Sequence, residues 1–371
     1  MKKFTIFTGT RAEYGLLKYL IKALTIEKDF ETNLIVAASH LSPKFGETIN
    51  EIKVDGIEPS FYIPLRIDSE ENGMCLQTAD IMIEVSKVLK ELNPDYLILL
   101  GDRFETFGTA AAGHLLGIKI IHIHGGESTL GAIDDKLRHA ISQLSTLHFT
   151  SAKVHKERVE KMGFPQDKVF NVGPMAIDGI LNTIELNKKE FSRKTNFIFG
   201  QNNFLVTFHP ETLSSDLGME GLDNLLKVLK EIDCNILFTS PNADKGFELI
   251  LKKIKAFVIE TKPKSIFIPS LGQELYLNAL RLLDCVIGNS SSGIVEAPLI
   301  GANIINIGNR QEGRFRFGKV INVNKNYYSI KNAINNSVSK SRTIDNKNNF
   351  SEYKKLRSPS KAILDVLRNY D

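Results

Sequence analysis

The stretch "YLILLGDRFETFGTAAAGHLLGIKIIHIHG", residues 96–125, decides the fold. "YLILLG" (96–101) is a continuous apolar run, residues 105–117 carry apolar side chains at helical spacing, and "KIIHIHG" (119–125) is a second apolar run. Strands that are apolar at every position are buried on both faces, and two of them joined by a helix make a parallel pair covered by helices.

The alternation extends in both directions. "KFTIFTG" (3–9) and "NLIVAAS" (33–39) precede it, with helical spacing over 13–26 and 73–91, and "LHFTSA" (147–152) follows a helical stretch at 135–146. Over 169–197 a Gly-Pro pair gives way to a polar, lysine-rich stretch, which reads as the region between domains. A second series begins with "NFLVTFHP" (203–210) and continues through "NILFTS" (235–240), "SIFIP" (265–269), "CVIGNS" (285–290) and "NIINIG" (303–308). Helices are expected between these runs at about 219–231, 245–256, 272–283 and 292–300. The expectation is an α/β protein of two Rossmann-like doubly wound domains, residues 1–175 and 176–352. A C-terminal helix within 353–371 packs back on the first domain, after an Asn/Ser/Lys-rich loop at 335–349.

Composition agrees with two cores, because 371 residues are long for one. The balance of 47 basic and 43 acidic residues is too even for a nucleic-acid footprint. Cys75, Cys234 and Cys285 form no CxxC pair, which points to the cytosol rather than to a disulfide framework or a zinc ribbon. Gly9, Arg11 and Glu13 interrupt the N-terminal apolar run before a signal-peptide core is complete, and no stretch approaches 18 apolar residues, so no membrane partner is expected.

Doubly wound domains bind ligands where strands end and helices begin, and the interdomain cleft is the largest such crevice. At the first strand end, "FTGTRAEYG" sets Arg11 at a helix start, suited to a phosphate or to a structural pair with Glu13; it is not GxGxxG. In "LLGDRFETFG" (99–108), Asp102 is either a helix N-cap or a functional carboxylate beside Arg103 and Glu105. "IIHIHGGESTLGAIDD" (120–135) puts His122 and His124 on one strand face, then Gly125-Gly126, Glu127, and Asp134-Asp135. It admits a metal site, a structural histidine pair, or acid–base chemistry, and the neighbouring carboxylates favour the last. No HExxH or cysteine cluster supports a metal.

In the second half, "LVTFHPET" (205–212) keeps His209 at a strand end, since Pro210 biases it toward extended backbone. "CVIGNSSSGIVEAP" (285–298) offers serine hydroxyls and N–H groups for an anion, followed by Glu296; Ser292 breaks GxSxG and weakens a serine-hydrolase reading. "GNRQEGR" (308–314) adds Arg310 and Arg314 after another strand.

Taken together, "GTRAEYG", "GDRFE", "HGGE" with "IDDKLRH", "FHPET", "GNSSSG" with Glu296, and "GNRQEGR" resemble the hydrolysing UDP-N-acetylglucosamine 2-epimerases of bacterial sialic-acid pathways, in family order over about residues 3–325. The resemblance implies a GT-B glycosyltransferase-like architecture with the active site in the interdomain cleft. It implies conversion of UDP-N-acetylglucosamine to UDP and N-acetylmannosamine through 2-acetamidoglucal, without a cofactor or metal. It makes Asp102 and Asp134 catalytic carboxylates and sets His209 near the departing phosphate. Arg11, Arg103, Ser290, Ser291, Glu296 and Arg310 match nucleotide-binding positions, and Glu13, His122 and Asn242 stand with them as substrate-binding candidates. Many relatives have glutamate where this chain has His124, so either His124 takes over that role or Glu127 shifts into it. The same chemistry on UDP-2,4-diacetamido-2,4,6-trideoxyglucose, which feeds legionaminic acid, is the nearest alternative. A GT-B glycosyltransferase and a silent nucleotide-sugar-binding regulator are further ones. Relatives imply a homodimer or homotetramer.

Overall fold

The computed structural model describes residues 1–42, 48–65, 73–129, 133–211, 214–241, 246–339 and 357–370. Contacts sort the chain into two units, Met1–Ser128 with Ile133–Asp178 and Arg357–Asp371, and Thr129–Ala132 with Gly179–Leu356.

The first unit is built on a parallel sheet of seven strands, β1 (Lys2–Thr8), β2 (Phe30–Ala37), β3 (Phe61–Ile63), β4 (Tyr96–Leu100), β5 (Lys119–Ile123), β6 (Leu147–Thr150) and β7 (Val169–Asn171), in the order β3-β2-β1-β4-β5-β6-β7. Its helices are α1 (Arg11–Thr25), α2 (Ile49–Val54), α3 (Gly73–Leu92), α4 (Phe104–Leu115), α5 (Asp134–Leu144), α6 (Lys153–Lys161) and the start of α7 (Ala176–Asn182). The central strand β4 is apolar throughout because alternate residues feed opposite cores. Tyr96, Ile98 and Leu100 join Leu17, Leu20 and Leu24 of α1, whereas Leu97 and Leu99 join Ile81, Val85 and Leu89 of α3.

The second unit has six parallel strands, β8 (Asn203–Thr207), β9 (Asn235–Phe238), β10 (Ser265–Phe267), β11 (Cys285–Gly288), β12 (Ile304–Ile307) and β13 (Ile321–Val323), ordered β10-β9-β8-β11-β12-β13. Its helices are α8 (Lys188–Thr195), α9 (Met219–Glu231), α10 (Phe247–Thr261), α11 (Gly272–Leu282), α12 (Glu296–Leu299) and α13 (Tyr327–Ser339). Phe204, Val206 and Phe208 pack with Leu222, Leu225 and Leu229 of α9 on one face of this sheet. The last helix, α14 (Pro359–Arg368), belongs to the first unit, where Ile363, Leu364 and Leu367 enter the α1-side core. Each such burial is worth about 1.5–3 kcal/mol. Asp178 fixes its start, accepting from the Ser358 hydroxyl, from Ser360 N–H at 2.9 Å and from Ser360 Oγ at 2.6 Å.

The stretch 169–197 carries β7, α7 and α8, and the division between the two units falls within it, between Asp178 and Gly179. One expectation changes. The helix expected over 292–300 is a 3₁₀ turn, Ser291–Gly293, followed by the four-residue α12. Pro298 has no N–H and its ring would clash with the carbonyl four residues earlier, so a helix running through 292–300 is excluded.

Candidate active site

In both sheets the strand order reverses at one place, between β1 and β4 and between β8 and β11. Crevices at the carboxyl ends of such strands are where doubly wound sheets bind ligands. Arg11 and Asp102 follow β1 and β4, and His209 and Ser290 follow β8 and β11.

Asp102 is not a helix cap. The N-cap of α4 is Arg103, with no side-chain cap bond, and the Asp102 carboxylate accepts from Arg138 Nη2 of α5. The other Arg138 nitrogen, Nη1, donates to Glu127 Oε2 at 3.1 Å. Arg138 is only 3% exposed, so one buried guanidinium joins the carboxylates that follow β4 and β5. Burial opposes its charge, but Asp102 and Glu127 outweigh that and hold its pKa above the usual guanidinium range.

Glu127 Oε1 accepts from Ser151 Oγ at 2.6 Å and lies 3.5 Å from His124 Nδ1. His124 is past the end of β5 with φ +65°, so the strand alternation expected to put it on the face of His122 stops before it. Its Nε2 accepts the Met175 N–H at 3.1 Å, which puts the proton of the neutral ring on Nδ1, toward Glu127. His122 is wholly buried. Its Nε2 contacts the Gly101 carbonyl at 2.8 Å and its Nδ1 contacts Ser142 Oγ at 3.0 Å, and burial lowers its pKa to about 4. The neutral ring therefore donates from Nε2 and braces the residue before Asp102.

The glycines after His124 stand where side chains would clash with their neighbours. A Cβ on Gly126, which has φ +78°, would stand 2.4 Å from the His155 carbonyl of α6, and one on Gly125 would stand 2.9 Å from Ser142 Oγ. Asp134 and Asp135 both fall in the first turn of α5, where negative charge is favoured, and Asp135 pairs with His139 at 3.9 Å.

At the end of β1, Thr10 and Glu13 form a capping box that starts α1 and presents Arg11. Glu13 Oε2 accepts from Gly9 N–H at 2.8 Å and Thr10 N–H at 3.1 Å, and Oε1 accepts from Thr106 Oγ1 at 3.2 Å. Burial, aided by the nearby negative charge of Glu105, raises the Glu13 pKa to about 7. Arg103 pairs with both Glu105 oxygens at 3.1 and 3.0 Å. The carboxylates of Glu105, Glu13 and Asp134 hold the Arg103 pKa above the usual guanidinium range.

In the second unit the buried side chain of Asn289 clasps the backbone of His209, accepting its N–H at 2.7 Å and donating to its carbonyl at 2.9 Å. Arg310 donates to the Pro210 carbonyl at 3.2 Å and the Asn289 carbonyl at 3.3 Å, and Gln311 reaches that same Asn289 carbonyl at 2.8 Å. Burial, then Arg310, lowers the His209 pKa well below the ordinary value, so its ring is neutral. Gly288 lets β11 close on β8, since a Cβ there would meet the Thr207 carbonyl at 1.9 Å. Ser290 and Ser291, both partly buried, begin the 3₁₀ turn after β11, and Glu296 opens α12. Asn242 lies outside the described residues.

Sequence reasoning passed over Arg138, Ser151, His155 and Asn289. Arg138 had a signal, because it stands four residues after Asp134 on one helix face. Asn289 had one in its place between the strand-ending Gly288 and the serines. Among the described residues, no group of three or more His, Cys, Asp or Glu side chains is placed to hold a metal ion, and no helix is long and apolar enough to cross a membrane.

Two doubly wound parallel units with polar side chains gathered at their switch points define a Rossmann-like nucleotide-binding class of protein. The sequence pattern of the UDP-N-acetylglucosamine 2-epimerase family matches residues 22–368, and the chain belongs to that family. It is 35% identical to a GDP/UDP-N,N'-diacetylbacillosamine 2-epimerase (hydrolyzing) of Campylobacter jejuni, over 86% of this chain and 84% of that one. It is 34% identical to polysialic acid biosynthesis protein P7 of Escherichia coli, over 90% of this chain and 86% of that one. Its fold, GT-B-like, matches the crystal structure of UDP-GlcNAc 2-epimerase from Neisseria meningitidis bound to UDP-GlcNAc, with a TM-score of 0.76 and 18% identity over 100% of both chains.

Proposed function

We propose that this protein is a hydrolysing UDP-sugar 2-epimerase that converts UDP-N-acetylglucosamine and water to N-acetylmannosamine and UDP, supplying a nonulosonic-acid precursor. The observation that carries the reading is the joining of Asp102 and Glu127 through one buried Arg138, with His124 against Glu127. Removing a weakly acidic C2 proton requires a fixed base, and returning one to the opposite face requires a second group. In the proposed sequence a base takes the C2 proton while the C1–O bond to UDP breaks on the other face, forming the C1=C2 bond of 2-acetamidoglucal. Water then adds its oxygen at C1, and a proton returns to C2 from the opposite side.

Asp102, Glu127 and Asp134 carry the proton transfers in this reading, and His124 holds Glu127. His209 faces the departing phosphate, whose charge Arg11, Arg103, Arg310, Ser290 and Ser291 balance. Glu296 takes the ribose, and Asn242 joins the nucleotide contacts. Glu13 and His122 act by holding the loops after β1 and β4, since their polar atoms are engaged there. The cysteines are free thiols, which suits a reducing compartment, and we place the reaction in the cytosol.

A second reading has the same chemistry on UDP-N,N'-diacetylbacillosamine, the 2,4-diacetamido-2,4,6-trideoxy sugar. The name of the Campylobacter relative favours it, and that sugar keeps the 2-acetamido group and the C2 hydrogen. Incubation with each sugar in D2O without an acceptor, followed by chromatography of UDP and NMR at C2, tests both. The expected result is UDP release with deuterium at C2 of the product. No UDP from either sugar sinks the hydrolase reading, and UDP without C2 deuterium excludes elimination.

A further inference from the structure

Behind Glu127 are two buried polar side chains that the proposed reaction does not use, Ser151 just after β6 and His155 in the first turn of α6. An ionised carboxylate only accepts, so the 2.6 Å bond runs from Ser151 Oγ to Glu127 Oε1. That uses the only hydroxyl proton. The 2.8 Å contact between Ser151 Oγ and His155 Nδ1 must then run from the ring N–H to the hydroxyl oxygen. Burial lowers the His155 pKa to about 4, so the ring is neutral with its one proton on Nδ1. The helix carrying His155 is pressed onto the Glu127 loop, where no side chain fits at Gly126 and Arg158 donates to the Gly126 carbonyl.

We propose that Ser151 and His155 are positioning residues for Glu127, forming a one-way relay from His155 Nδ1–H through Ser151 Oγ–H to Glu127 Oε1. The relay rests on the reading of Glu127 as a proton-handling group. Donors aligned in one direction polarise one another, and a donor to a carboxylate favours its charged form. Arg138 pulls on Oε2 from the side of Asp102, and the relay holds Oε1 from the other side, so the carboxylate is kept in one rotamer.

The test measures kcat and KM for UDP release across pH, with UDP-N-acetylglucosamine and UDP-N,N'-diacetylbacillosamine as probes, alongside thermal melts. Ser151→Ala should lower kcat about tenfold, the scale of a lost hydrogen bond to a charged group, with KM within about twofold. The acid limb of its profile should move up by about half a unit or more. Ser151→Thr, which keeps the hydroxyl, should restore rate and profile. His155→Phe should act in the same direction as Ser151→Ala, and His155→Asn, whose amide N–H stands near the place of Nδ1–H, should recover much of the loss. Wild-type turnover and an unmoved profile in Ser151→Ala and His155→Phe, with Glu127→Gln inactive, would overturn the relay and leave the reading of Glu127 standing. Wild-type turnover in Glu127→Gln would remove that reading and the relay with it. A lower melting temperature in Ser151→Ala with no movement of the acid limb and no rescue by threonine makes Ser151 structural only, and also overturns the proposal.

Discussion

The side chain of Asn289 closes a two-bond ring on the backbone of His209, accepting at 2.7 Å and donating at 2.9 Å. The amide is the one side-chain group of that size that both donates and accepts in this geometry. Asn289→Asp keeps the shape but sets a carboxylate oxygen against the His209 carbonyl. With both groups buried, a loss of about 2–3 kcal/mol in stability is expected, together with reduced turnover as the His209 ring leaves its place. Urea unfolding and a UDP-release assay on the same preparation check it. A variant with wild-type values in both would show that the clasp does not hold His209.

Arg138 should be the costliest side chain of the first unit to remove. Arg138→Met leaves Asp102 and Glu127, each less than one fifth exposed, without their shared cation. Breaking such a buried pair costs about 3–5 kcal/mol. Arg138→Lys retains the charge but not the fork, so a smaller loss of stability and a large loss of kcat are expected. Urea melts at pH 7 and UDP release on wild type and both variants measure this, and a methionine variant as stable as wild type would show that Arg138 does not hold the two carboxylates.

Glu13 gives a pH dependence of opposite sign to the usual carboxylate. Its folded pKa of about 7 lies above the ordinary glutamate value of 4.5, so between these values the unfolded chain loses a proton that the folded chain keeps. Stability therefore falls as pH rises through that window and levels off above it, by about 3 kcal/mol at about 1.4 kcal/mol per unit. Glu13→Gln should flatten this part of the profile, because an amide can still accept from Gly9 and Thr10 and donate to Thr106. An unchanged slope between pH 4.5 and 7 would assign it to other groups.

How much of this was legible in the sequence follows from range. The long apolar strands and the helices between them announce themselves through local periodicity, and β4, β5, β8 and β11 fall where the apolar runs lie. The strands β3, β7 and β13 have only three residues each, too few to show a period, and β10, equally short, stands out only because its apolar run continues beyond it to Ile268. Strand ends also point to the residues at the switch points, because chain order places Asp102, His209 and Ser290 there. What lies behind them is set by tertiary contact. Arg138 reaches Asp102 across 36 residues, Ser151 reaches Glu127 across 24, and Asn289 reaches His209 across 80, so no window of sequence holds both partners. The same limit hides why Gly126 is glycine, since its neighbour is the backbone of α6.

The first unit should unfold in mild acid, and His148 should contribute most simply. Burial lowers the pKa of His40, His122 and His155 to about 4 and that of His148 to about 3, against 6.5 for an ordinary histidine. Below pH 6.5 the unfolded chain takes up protons that the folded chain refuses, so stability falls with pH, by about 3 kcal/mol or more for each ring once pH nears 4. The four rings act in the same direction and against the return from Glu13 over the same range, so acid unfolding is set by the histidines rather than by that carboxylate. A cooperative loss of near-ultraviolet circular dichroism is expected at about pH 5. His148 is wholly buried beside Phe164, and neither ring nitrogen has a partner among the described residues. His148→Leu removes both the orphaned nitrogens and one proton-uptake site, so it should stabilise the protein by about 1–2 kcal/mol at pH 7 and by more at pH 5. The acid midpoint should move down accordingly, and a midpoint that stays put while neutral stability rises would show that His148 is not among the groups that drive acid unfolding.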